Sequence, residues 1–193
     1  MAWLVAGLGN PEERFARTRH SVGRMVADVL LDEAGERFRK VRFLPIEMGE
    51  IRVGDERVVV ARSTRYMNES GPGYASLATK QRIDPGTIVA VHDELDIPAG
   101  TIRVKFGGGN NGHNGLRSLD GALRTNDYVR VRLGIGRPPG RQDPADFVLE
   151  PIPKRDETEI ELLVALGADA VRSLIIEGLE RTQDRFNRSA PSS

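Results

Sequence analysis

The sequence points to an α/β fold organised as a single domain. Its apolar residues fall in short runs bounded by turn residues and interspersed with stretches of helical periodicity, the alternation that builds layers of sheet and helix. At 193 residues the chain fills one domain at roughly 150 residues each and leaves little for a second. A chain of this size buries about 70% of its unfolded surface and needs no staple. No internal repeat, long linker or low-complexity block interrupts it.

The elements follow from the N-terminus. Trp3–Leu8 reads as a buried strand, followed by a polar loop from Gly9 to Arg19. Ser21 is placed to cap a helix whose apolar stripe is Val22, Met25, Val26, Val29 and Leu30. Met48–Val53 and Arg57–Ala61 flank Gly54-Asp55-Glu56 as a hairpin. Gly73–Gln81 is a short helix ended before Pro85, Ile88–His92 a further buried strand, and Ile102–Phe106 an alternating one. A glycine-rich loop precedes a helix near Leu116–Leu123 and the strand Tyr128–Ile135. From Lys154 to Gly178 a long amphipathic helix carries Ile160, Leu163, Val164, Ala170, Val171, Leu174 and Ile175. Ser189–Ser193 is expected to fray, leaving 1–188 as the domain.

Composition excludes several function classes. An apolar share of 39% with 29% charged residues is that of an ordinary soluble globule. Lys+Arg 28 against Asp+Glu 28 argues against a wholly basic nucleic-acid binder but leaves room for a local basic face. The absence of cysteine excludes disulfides, thiolate metal ligation and a Cys nucleophile, and fits a reducing cytoplasm. The N-terminus lacks a basic n-region and reads as a strand rather than a signal peptide. No window approaches the length of a membrane span. The one stretch with a large basic excess is 101–141, where eight Lys/Arg against two acids give net +6 around the glycine-rich loop. With only 5% aromatics, phosphate contact is the expected mode of binding an anionic ligand, rather than base stacking.

The three histidines, His20, His92 and His113, each lie in a turn-rich segment next to a strand. Near them stand Asn10-Pro11, Met67-Asn68, Asp93-Glu94-Leu95-Asp96 and Asn114-Gly115. Most of these segments follow a strand, where the open end of an α/β sheet collects ligands. His92 ends an apolar run and reads as a buried, hydrogen-bonded side chain, whereas His20 sits in a loop too polar to be core. There is no Gly-x-Ser-x-Gly elbow, no His-Glu-x-x-His helix and no Walker loop. Gly107-x-Gly109-x-x-Gly112 matches a dinucleotide fingerprint formally, which would imply a nucleotide-dependent oxidoreductase. However, Asn110, Asn111 and His113 crowd that loop, and Arg132 stands where the acid is needed. What remains is a His, an Asp and several Asn without nucleophile or metal. That set suits water activation: a neutral His removes a proton while a carboxylate fixes its tautomer. Asn amides orient water, grip a substrate amide and donate to an oxyanion. The chemistry fits cleavage of an activated acyl bond such as an ester.

Five motifs carry a family resemblance: Gly7-Leu8-Gly9-Asn10-Pro11 with Thr18-Arg19-His20, Tyr66-Met67-Asn68-Glu69-Ser70-Gly71, His92-Asp93-Glu94-Leu95-Asp96, Gly107-Gly108-Gly109 with Gly112-His113-Asn114-Gly115-Leu116, and Arg132-Leu133-Gly134-Ile135-Gly136-Arg137-Pro138. In order and spacing the chain resembles bacterial peptidyl-tRNA hydrolase over residues 2–188. The resemblance implies one α/β domain with a mixed central β-sheet flanked by helices. It implies a cytoplasmic monomer without metal, cofactor, membrane or obligate protein partner. The implied reaction is hydrolysis of the ester joining a peptide to the terminal ribose of tRNA. His20 would be the base and Asp93 the carboxylate that holds it, while Asn10 would discriminate the N-blocked peptide from a free aminoacyl group. Asn68 and Asn114 would bind the peptidyl-adenosine end, with Tyr66, Met67 and His113 lining the cleft and Phe15 beside it. Lys105 and Arg132 would hold the tRNA 5′-phosphate. Glu12, Phe15, Ser21 and Asn111 depart from the family's usual residues, and Asn111 would shift the backbone if its position needs φ > 0. The alternative is a relative of the same fold that binds RNA with little hydrolysis, although such a binder needs neither His20 nor Asp93.

Overall fold

The structure, a computed structural model, describes residues 1–188, so the expected fraying of Ser189–Ser193 lies outside the described residues. In chain order its elements are β1 (Ala2–Gly7), α1 (Val22–Glu33), β2 (Arg39–Lys40), β3 (Ile46–Val53), β4 (Glu56–Ser63), α2 (Gly71–Gln81), β5 (Ile88–Glu94), β6 (Ile102–Phe106), α3 (Asn114–Leu123), β7 (Val129–Gly134), α4 (Pro144–Leu149), α5 (Glu157–Glu177) and α6 (Leu179–Phe186). The strands make one seven-stranded sheet in the order β2-β3-β4-β1-β5-β7-β6. The four central strands run parallel, while β2, β3 and β6 are antiparallel to their neighbours.

Alternation along β1 sends its side chains to opposite layers. Leu4 and Ala6 join Tyr74, Leu77, Leu116 and Leu119 under α2 and α3. Val5 joins Val22, Val26, Leu163 and Val171 under α1 and α5. Every residue of β5 is buried, as a parallel strand covered on both faces requires.

Two contacts fix the end of the sheet where the chemistry gathers. The buried Tyr74 hydroxyl donates to Gly7 O (3.1 Å) and accepts from Ser63 N–H (3.0 Å), tying the ends of β1 and β4 together. A Cβ on Gly23 would lie 2.0 Å from Val91 O and 2.9 Å from Leu8 O. Only glycine lets the first turn of α1 rest on the ends of β1 and β5. The opposite edge is closed differently: Asn187 Oδ1 accepts from Val104 N–H (2.7 Å) and its Nδ2 donates to Val104 O (2.9 Å), so one side-chain amide pairs with the outer rim of β6.

The mixed sheet between helices is as expected, with differences in detail. Both hairpin strands begin earlier than expected and the second also ends later, leaving only Gly54-Asp55 between them. β2, α4 and α6 were not anticipated. Ser21 occupies the N-cap position of α1 but makes no side-chain cap; its Oγ accepts instead from Asn10 N–H (3.4 Å). The stretch before His20 is not a solvated loop either. Thr18 and Arg19 are buried, and the Arg19 guanidinium pairs with Asp156 (2.9 Å) and lies 4.3 Å from the centre of the Phe147 ring. Among the described residues no helix is long and apolar enough to cross a membrane.

Candidate active site

The carboxylate of Asp93, at the end of β5, is buried and held by two imidazoles. His20, on the short turn that leads into α1, brings Nδ1 to 2.9 Å from Oδ2 and 3.1 Å from Oδ1. His113, the N-cap of α3, brings Nε2 to 2.8 Å from Oδ1. The hydrogen bonds assign the tautomers. His113 Nδ1 accepts from Gly115 N–H (3.1 Å) and Leu116 N–H (3.3 Å), so its proton is on Nε2 and is donated to Asp93. His20 likewise donates Nδ1–H, which leaves Nε2 as a free base. Sequence reasoning had His113 as cleft wall only; its position one residue before a helix was the signal that it could cap α3.

The electrostatics follow. Burial pulls the pKa of His20 down, but the charge of Asp93 and its hydrogen bond outweigh burial and raise it above the ordinary 6.5. Burial alone would raise the pKa of Asp93, yet His20 and His113 together hold it well below the usual carboxylate range. Asp93 therefore stays ionised and keeps His20 oriented. His92 is the buried, hydrogen-bonded residue expected: Nδ1–H donates to Asp93 O (2.8 Å), and burial, with His113 nearby, pushes its pKa down to about 3. Among the described residues, His20, Asp93 and His113 are the one group whose ligand atoms converge closely enough for a cation, within 4.8 Å. Those atoms are already joined to one another by hydrogen bonds.

A cleft of about 260 Å³ opens over this group, lined by His20, Asp93, His113 and Asn114 with Asn111, Arg137 and Val148. Asn10 is buried after β1, and its Oδ1 accepts from Met67 N–H (2.8 Å). That bond orients the amide and leaves both Nδ2 protons to donate. Met67 is buried against α3, where a Cβ on Gly115 would meet its sulfur at 2.5 Å. Asn68 and Asn114 are exposed at the same end of the sheet. Tyr66 is exposed and donates to Glu12, which also pairs with Arg14. Phe15 lies in the 9–19 loop beneath the Arg14 guanidinium (4.5 Å). Of the residues expected at the cleft, His20, Asp93, His113 and Asn114 line it, while Asn10, Phe15, Tyr66, Met67 and Asn68 lie outside its wall.

Lys105 and Arg132 line an adjoining cavity of about 320 Å³ with Arg130 and His92, and it shares Glu94, Asp96 and Asn111 with the cleft. Among the described residues, Arg130 Nε, Arg132 Nε and His92 Nε2 are buried polar atoms without a hydrogen-bond partner. The two guanidinium N–H donors call for an anion or water, whereas His92 Nε2, unprotonated because Nδ1–H donates to Asp93 O, is an acceptor that calls for a donor such as water. Burial lowers the pKa of Arg132 against the opposing pull of Glu94, with Arg130 and Arg103 adding to the lowering.

The glycine-rich loop roofs this cavity. It leaves an antiparallel edge strand rather than a parallel βα unit, which removes the structural context a dinucleotide fingerprint needs. It then climbs back to the site end of the sheet, held by the Arg130 guanidinium on Gly109 O and by Asn111, whose Nδ2 donates to Glu94 and to Asp96, each at 2.6 Å. Asn111 does take positive φ, +50°, a conformation Asn tolerates better than most residues, and the two acceptors fix it there. Arg130 was not singled out from sequence, and Asn111 only as a departure from the family's usual residue.

A family model described as peptidyl-tRNA hydrolase matches residues 4–193. Peptidyl-tRNA hydrolase of Frankia alni is 49% identical over 185 residues, covering 96% of this chain and 93% of that one. The Nocardia farcinica protein of the same name is 48% identical over 184 residues, covering 95% of each. The crystal structure of peptidyl-tRNA hydrolase from Acinetobacter baumannii matches with a TM-score of 0.90 at 29% identity, over 99% of this chain and 97% of that chain. Sequence and architecture thus agree along the whole described chain, and the chain belongs to the peptidyl-tRNA hydrolase family.

Proposed function

We propose that this chain hydrolyses the ester between tRNA and a peptide or N-blocked amino acid, with His20 as general base. The observation that carries this reading is the His20–Asp93 pair at the cleft, with Nδ1–H bonded to a buried carboxylate and Nε2 free. Nε2 takes a proton from water as the water attacks the ester carbonyl, and returns it to the departing ribose oxygen. Asp93 stabilises the imidazolium formed between these steps. Asn10 donates Nδ2–H to the peptide's backbone carbonyl or to the developing oxyanion, and Asn68 and Asn114 grip the peptidyl-adenosine end. Met67, Tyr66 and His113 border the peptide path, and Phe15 supports the loop that carries His20. Lys105 and Arg132 take the 5′-phosphate in the basic cavity, their charges relieved by the anion.

The same reading makes the protein a cytoplasmic monomer that recycles tRNA and works without metal or obligate partner. Release of free peptide from N-acetylated aminoacyl-tRNA, compared with unblocked aminoacyl-tRNA and repeated in chelator, tests the reaction. Equal cleavage of both substrates, or of neither, overturns it.

A further inference from the structure

The basic cavity is not the only concentration of cations. A window of forty residues conceals a denser run, Arg37-Phe38-Arg39-Lys40-Val41-Arg42, in which four cations stand without an acid, next to Phe43. The run forms β2 and the turn into β3, at the sheet edge opposite β6. Arg37, Arg39, Lys40 and Arg42 are all exposed, and among the described residues none has an ion-pair partner. The acids on the ladder are engaged elsewhere: Glu47, together with Asp28 of α1, holds Arg62 (2.7 and 3.0 Å), and Glu50 holds Arg57 (2.9 Å). Glu36 immediately precedes the run.

Phe43 sits at the tip, 89% exposed, with the Arg42 guanidinium 4.8 Å from its ring centre. Its φ is +66°, which a bulky side chain rarely adopts. The turn is closed on both sides, by Val41 N–H to Ile46 O (2.9 Å) and Leu44 N–H to Val41 O (3.2 Å). The fold therefore holds an unburied aromatic in a strained conformation beside free cations. Such strain tends to persist where a residue has a use.

The tip also lies at the site end of the sheet. Ile46 pairs with Ser63, and Thr64 N–H donates to Pro45 O (2.9 Å), immediately before Arg65 and the Tyr66–Asn68 segment. Four inter-strand steps separate β3 from β7, about 19 Å at the usual spacing. The catalytic group thus lies between two basic flanks, one recessed and one projecting.

We propose that the β2–β3 tip is a second contact for the substrate's tRNA, with Arg39, Lys40 and Arg42 on backbone phosphates and Phe43 stacked on an unpaired base. This rests on the reading of the protein as a tRNA-ester hydrolase but not on the 5′-phosphate assignment. Arginine and an aromatic ring together make a sequence-tolerant platform for single-stranded RNA.

Two variants test it: R39Q/K40Q/R42Q, and Phe43→Gly, which removes the ring while suiting the positive φ. Binding of uncharged tRNA is measured at several salt concentrations, and kcat and KM are measured on full-length N-acetylaminoacyl-tRNA and on a short 3′ fragment bearing the same ester. The triple variant is expected to reduce the slope of log affinity against log salt by about 2. Phe43→Gly is expected to raise KM for full-length substrate about fivefold or more at unchanged kcat. The short fragment is cleaved as before. A Lys105/Arg132 variant run in parallel separates the two assignments, since failure of the phosphate cavity leaves only that variant unchanged. Unchanged slope and KM in the tip variants overturn the proposal and leave the tip to an acidic protein partner. Equal losses on full-length and short substrates overturn it too, because they report disturbance of Tyr66–Asn68.

Discussion

At the scale of single residues, the site is a carboxylate with two donors, of which one imidazole is free to act and the other is locked by α3. His20→Ala is expected to reduce turnover by about 10²–10⁴ while tRNA binding survives. Asp93→Asn should cost less, because the imidazole remains. The pH dependence carries a sign. His20 works as a base only when neutral, and Asp93 raises its pKa above the ordinary value, so kcat/KM should climb with pH through a midpoint above 6.5. In Asp93→Asn the charge is gone and burial remains, so that midpoint moves to lower pH as the rate falls; a midpoint that stays put would remove Asp93 from the titration. Asn10→Asp isolates another function. A carboxylate can still accept from Met67 N–H but has no Nδ2 protons, so activity on N-acetylated substrate should fall and its advantage over unblocked substrate should narrow. A constant ratio between the two substrates would show that Asn10 does not discriminate. The identities of these residues were legible as motifs; Asn111 was legible only as a departure from the family's usual residue, and Arg130 not at all. Their importance comes from a loop that doubles back across the sheet, and no local periodicity encodes that path.

Among the elements, α1 matters most, because its first turn places His20. Gly23→Ala pushes a methyl into Val91 O and should destabilise the fold by about 1–3 kcal/mol. It should also lower kcat more than it raises KM, since the base moves against Asp93 while the binding groups stay; an unaltered kcat would mean that the turn adjusts independently of the helix. The long runs were readable for a physical reason: Ile88–His92 is buried on both faces, and α5 keeps its apolar stripe for several turns. β2 escaped because it consists of two exposed cations, which show no alternation. α6 escaped because Leu179–Phe186 is mostly polar and follows Gly178, which looks like a full stop. α4 had a signal that went unread. Asp143 caps it by accepting from Ala145 N–H (2.9 Å), and Pro144 occupies the first turn, the usual opening of a helix.

For the molecule as a whole, zero net charge means that attraction to tRNA depends on where the cations lie. Lys105→Gln with Arg132→Gln should weaken tRNA binding and make its salt dependence shallower by about 1, with non-additive single effects because the two side chains share one phosphate. Cleavage of a short 3′ fragment should be spared. Parallel salt slopes for wild type and double variant would move the 5′-phosphate elsewhere. Residues 1–188 are proposed as a single domain, since one sheet carries both core layers and every helix packs on it or on a neighbour. Far-UV and near-UV signals should then report one coincident unfolding transition; two separated transitions would divide the chain.

The amide of Asn187 on β6 has a consequence for how copies of this protein behave together. A sheet that ends in unpaired N–H and C=O groups is a template for another chain. At Val104 both groups are already taken by a side chain, which offers no further rung. Strand addition by a neighbouring copy along β6 therefore meets an occupied rung at the middle of that strand.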